Sequence, residues 1–154
     1  MDPWQLVVTE LIHSIEQPDP ELPDAVQEAE IDPGVFRLES TYLQLYLYHL
    51  MLGATQHKNV LEAYHAALVN RADYAALRQR FASYDRLINA TPPPGFPTSQ
   101  LADRMLWVAE DFARWCKSDD GAFKLWAAFY WKGFLTRFTP NVQNMVAEMT
   151  TILK

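Results

Sequence analysis

Seventeen consecutive residues, 122–138, read AFKLWAAFYWKGFLTRF and hold two of the chain's five Trp and four of its eight Phe. Wound as a helix at about 100° per residue, this stretch has one interrupting stripe, Lys124, Ala128, Lys132 and Thr136. Nearly everything else is apolar: Phe123, Leu125, Trp126, Phe129, Tyr130, Trp131, Phe134, Leu135 and Phe138. A helix apolar over most of its circumference is expected inside a bundle, with other helices covering it. Lys124, Lys132 and Arg137 break it too often for a membrane span, which needs roughly 20 apolar residues in a row.

The rest of the chain supplies helices to do the covering. Asp2-Pro3 is an N-cap followed by proline at the first helical position, and Trp4, Val7, Val8, Leu11, Ile12 and Ile15 share one face of the helix it opens. Pro18, Pro20 and Pro23 end that helix. Asp24 and Gln27 have the spacing of a capping box for a short helix reaching about residue 30. Asp32-Pro33 repeats the cap-plus-proline signal and predicts a long helix over 33–55, whose polar stripe is Arg37, Ser40, Thr41, Gln44 and Tyr48. Asn59 and Glu62 suggest another capping box for a helix over 59–70, and a further helix is expected over 72–89, with Tyr74, Leu77, Phe81, Tyr84 and Ile88 on one side. Residues 91–97, TPPPGFP, form an extended connector. Thr98 or Ser99 then caps a helix to about residue 117, and Thr139-Pro140 predicts a last, separate helix after the aromatic one. No segment has the alternation of a strand, and no repeat period recurs. The expected fold is all-α: one irregular bundle of about six or seven helices, a single domain over 1–154, centred on the long Tyr/Leu helix and the aromatic helix.

Charge is unevenly placed. The net charge is −6, yet residues 1–36 carry nine acidic side chains and no Lys or Arg, which leaves +3 for the remainder. Phosphates would be repelled by such an N-terminal part. Arg71, Arg78, Arg80 and Arg86 point in several directions round their helix, so no nucleic acid is expected as a partner. The acidic surface suits a protein partner with a basic face, and Glu21, Asp24, Glu28 and Glu30 are its candidate residues. The lone Cys116 falls on an apolar helix face and reads as a small core thiol. With no second cysteine and no basic-then-apolar leader in MDPWQLVVTE, a cytoplasmic protein is expected.

The motifs of catalysis are missing. There is no Gly-x-Ser-x-Gly, the five glycines are isolated, and no Cys–His arrangement follows from spacing. Glu10-Leu-Ile-His13 and Glu62-Ala-Tyr-His65, with Glu39 and Glu110, make the ligand inventory of a carboxylate di-metal bundle. Only Glu39 faces inward, whereas metal ligands must converge, so that reading is remote and no metal or cofactor is expected. Glu39 sits mid-face on the long helix. A buried carboxylate needs a partner, so it either pairs with a Lys, an Arg or Tyr hydroxyls, or reaches solvent past the bundle end.

Two functions of different class remain, and an enzyme is the less expected outcome. The first is a non-enzymatic interaction module (adaptor, inhibitor or immunity-type) using the acidic N-terminal surface and Trp107. Trp107 falls among Asp103, Glu110, Asp111 and Arg114, opposite the core face of its helix, with Phe96 as the residue that could cover it. Trp is a frequent interface anchor. The second is a binder of an apolar or aromatic small molecule between the two central helices, with Glu39, Tyr46, His49, Trp126 and Tyr130 as its lining. Homo-oligomers stay open.

Overall fold

The computed structural model describes residues 2–17, 19–90 and 104–153. The connector 91–97, Phe96, the expected cap at Thr98 or Ser99, and Asp103 lie outside the described residues. Among those described there are seven helices and no strand: α1 (Pro3–Glu16), α2 (Asp24–Glu28), α3 (Pro33–Ala54), α4 (Lys58–Val69), α5 (Tyr74–Ile88), α6 (Met105–Trp115) and α7 (Gly121–Ile152). None is long and apolar enough to cross a membrane.

The cap-plus-proline starts of α1 and α3 form as expected. Asp2 accepts the Trp4 N–H at 2.8 Å, and Asp32 accepts the Val35 N–H at 3.1 Å. Asp120 does the same for α7, accepting the Phe123 N–H at 2.8 Å. Side chains thereby satisfy amides that a helix start leaves orphaned. The two expected capping boxes do not form. Pro23, not Asp24, is the N-cap of α2, with no side-chain cap bond. At α4 the cap is His57, whose Nδ1 accepts the Val60 N–H at 3.4 Å, and Glu62 instead pairs loosely with Lys58. The cap of α4 lies two residues before the Asn59 signal because an imidazole nitrogen can accept a first-turn amide as a carboxamide oxygen would.

A larger departure is at Pro140. The expected separate last helix is the continuation of α7, which runs 32 residues with Pro140 inside it. Proline in a helix interior removes one backbone bond, at a cost of about 3 kcal/mol relative to alanine. Here the apolar line Phe123, Ala127, Trp131, Leu135, Val142 and Val146 keeps the helix continuous by burying residues on both sides of the proline. Pro140 itself is exposed. Pro140→Ala is therefore expected to stabilise the protein by about 1–3 kcal/mol, since it restores an N–H facing the Thr136 carbonyl. An unchanged urea midpoint would contradict this.

Buried side chains from all seven helices form one hydrophobic cluster. Helix α3 is the hub: it touches α1, α4, α5, α6 and α7. Half its residues are buried, among them Leu43, Leu45, Tyr46, Leu47 and Leu52. Helix α7 lies against α3, α6 and α2. Phe112 of α6 meets Phe123 and Trp131 edge-on at 6.1 and 5.5 Å, and Phe36 of α3 completes this aromatic core. The aromatic helix is central but sheathed on one side only. Phe129 is 70 % exposed, Leu125 56 % and Tyr130 45 %. The expected polar stripe is displaced accordingly, with Ala128 buried.

Candidate functional site

Two features of α3 and α7 carry the site. The first is a cleft of about 310 Å³ where the chain leaving α1 passes over both helices. Pro20 and Pro23 keep this connector out of helical conformation, and Asp19 accepts the Glu21 N–H at 3.0 Å to turn it. One wall is the polar stripe of α3: Arg37, Ser40, Thr41 and Gln44. The opposite wall is Tyr130 and Trp131 of α7, and Ile15, Leu22 and Phe36 add apolar surface. Burial, and then the nearby Asp19 carboxylate, push the Tyr130 phenol above its ordinary pKa.

Three residues that line the cleft have hydrogen-bonding capacity left unused. Arg37 Nε, Ser40 Oγ and Trp131 Nε1 are buried with no partner among the described residues, although buried polar groups are almost always bonded. Thr41 is satisfied, donating to the Arg37 carbonyl at 3.0 Å. Among the described residues no general base bonds Ser40 Oγ.

The second feature is the outward face of α7. Leu125 and Phe129 stand one turn apart on it, and a β-carbon placed on exposed Gly133, a further turn on, would meet nothing in this chain. Helix α2 of the acidic segment borders α7. Glu21, Asp24, Glu28 and Glu30 are all exposed. Glu21 lies at the cleft rim, and Glu30 ends α2 in left-handed backbone at φ 56°.

Compared with known proteins, the chain matches no family model, no curated protein and no solved structure.

The other residues singled out in sequence are scattered. Glu39 does not reach solvent: it is 2 % exposed and makes a two-pronged pair with Arg80 of α5, at 3.0 and 2.8 Å. The Arg80 guanidinium is sandwiched between Trp115 at 4.0 Å and Tyr42 at 5.1 Å. Tyr46 donates to Asp85 at 2.6 Å. Trp126 stacks on Phe123 and Tyr130. Of the five proposed pocket residues, Tyr130 alone lines the cleft. Trp107 is half-buried with the Arg104 guanidinium 5.8 Å above its ring, in a shallow hollow shared with Leu87, Arg114 and Lys124. Asp111, expected on the outer face beside it, is buried and bonds Ser83 and Arg114. Among the described residues no three His, Cys, Asp or Glu side chains gather as a metal ion would require. Glu10, His13, Glu62, His65 and Glu110 are exposed.

Packing of α4 on α3 does create one pair that sequence spacing concealed. His49 Nδ1 and His65 Nε2 lie 2.9 Å apart, which requires at least one neutral ring to accept. Burial first, and then His65, lower the His49 pKa below its ordinary value, with Asp85 opposing. Below about pH 6.5 the unfolded chain then binds more protons than the folded one, so stability falls as pH drops through this range and is retained above it. His49→Gln is expected to flatten the fall in Tm between about pH 7.5 and 5.5. Equal slopes for variant and wild type would show that the pair contributes nothing to it.

Sequence reasoning did not single out Arg37, Ser40, Trp131, Leu125 and Phe129 as site residues. The first two were legible as a polar stripe, but a stripe facing solvent and one facing a cleft look the same in sequence. The aromatics were legible as apolar, not as inward or outward.

Proposed function

We propose that the protein is a non-enzymatic interaction module, an adaptor, inhibitor or immunity-type protein, that receives a basic amphipathic helix of a protein partner on the outward face of α7. The observation that carries this is Phe129, 70 % exposed beside Leu125 at 56 % on the same face. Large apolar side chains grouped on a surface mark interaction sites. The neighbouring acidic residues Glu21, Asp24, Glu28 and Glu30 supply complementarity to a basic partner and speed its encounter. Gly133 leaves the backbone bare next to Phe129, at a cost of about 1 kcal/mol against alanine in a helix, and a closely approaching helix would use that space. A cytoplasmic location belongs to this reading, resting on Cys116, which is buried and is the chain's one cysteine.

The test is capture of a partner from the source cell, compared across three variants of the full chain. Leu125→Ser with Phe129→Ser should abolish capture while the melting curve stays put. Neutralising Glu21, Asp24, Glu28 and Glu30 to Gln should weaken capture and its dependence on salt. Trp107→Ala, at the half-buried position, should leave capture intact. Sedimentation showing a stable dimer that Phe129→Ser dissociates would replace the foreign partner with a second copy of this chain.

A further inference from the structure

We infer that the cleft between residues 15–17, 19 and 21–23, α3 and α7 is a binding site for a small monocarboxylate with an aromatic or branched apolar body. This stands apart from the reading of the outward α7 face, which rests on Leu125 and Phe129 and shares only Glu21 with the cleft. The chemistry follows from what the floor offers and lacks. Arg37 Nε–H and Trp131 Nε1–H can only donate, and the Ser40 hydroxyl is equally unpartnered among the described residues. Arg37 makes no ion pair among the described residues, unlike Arg71 and Arg80, which each hold a carboxylate. A guanidinium partly withdrawn from water and without a counter-ion is completed best by a carboxylate, whose two oxygens match its fork. The walls, Ile15, Leu22, Phe36 and Tyr130, are apolar or aromatic and suit a hydrocarbon body. The size, about 310 Å³, is at the small end for ligand pockets.

The rim narrows the choice further. Asp19 and Glu21 also line the cleft, while Glu16, the third carboxylate there, is already held by Arg71. Two carboxylates without a counter-ion among the described residues, against one arginine, disfavour a dianion such as a phosphate ester, and leave room for one negative charge placed directly on Arg37.

The experiment follows the indole N–H signal of Trp131 in the full-length protein, assigned with Trp131→Phe, during titration with phenylacetate, phenylacetamide and phenyl phosphate. Phenylacetate is expected to shift that signal saturably, with a Kd of order millimolar for a ligand of about 10 non-hydrogen atoms. Phenylacetamide and phenyl phosphate should bind at least about tenfold more weakly, the first for want of charge and the second by repulsion at the rim. Arg37→Gln should lose about tenfold or more in phenylacetate affinity with the other indole signals unmoved. Ser40→Ala, should Arg37→Gln fold poorly, should lose several-fold. No saturable Trp131 shift with phenylacetate, undiminished binding by either variant, or tighter binding of phenyl phosphate would each overturn the assignment.

Discussion

Replacing Arg80 with alanine is expected to cost about 3–5 kcal/mol and to lower Tm by roughly 10 °C. The reason lies in what is left behind. Glu39 is 2 % exposed, on the core face of α3, and both its oxygens are bonded by Arg80. Without the guanidinium its charge stays buried and unpaired, and Trp115 and Tyr42 lose the cation between them. The pair also ties α5 to α3 where α6 closes over it. Replacing both members by apolar residues, Glu39→Leu with Arg80→Met, removes the desolvation penalty together with the attraction and should recover most of the loss. Urea melts of the three proteins decide it. A single variant within about 1 kcal/mol of wild type would mean that water reaches Glu39.

The second large effect contrasts two aromatic residues two positions apart. Trp131 is fully buried between Phe112, Tyr130 and Phe134, and Trp131→Ala should cost about 3–5 kcal/mol through lost burial and the cavity left behind. Phe129 points the other way, and Phe129→Ala should move stability by no more than about 0.5 kcal/mol. Comparable losses from the two substitutions would mean that α7 is rotated from the orientation described. The same contrast separates stability from docking on the outward face, because Phe129 is placed where a partner would dock and the Trp131 ring where the fold is held.

Much of the fold was legible because its signals are local. Asp2-Pro3 and Asp32-Pro33 start helices where their side chains can accept the first amides. Thr139-Pro140 carried the same signal and misled. A proline compatible with a helix start is also tolerated within a helix when the apolar line continues past it, and only burial on both sides distinguishes the two. The His49–His65 pair was hidden because sixteen residues and a turn separate them, and α3–α4 packing closes that gap. Arg37 and Ser40 were visible as a polar stripe, but the connector that turns the stripe into a cleft wall is placed by tertiary contacts.

The aromatic stretch 122–138 shows the division most plainly. Sequence by itself determined that it is helical, that it belongs to an all-α bundle, and that its partners are the apolar faces of several amphipathic neighbours. Each of those follows from periodicity and composition, which act within a turn or two of helix. Which side of α7 meets the core was decided by tertiary structure alone. When nearly every position round a helix is apolar, the pattern no longer defines a direction, and the choice falls to the shapes of α3 and α6. They take Phe123, Ala127, Trp131 and Leu135 into the core and leave Leu125 and Phe129 facing water.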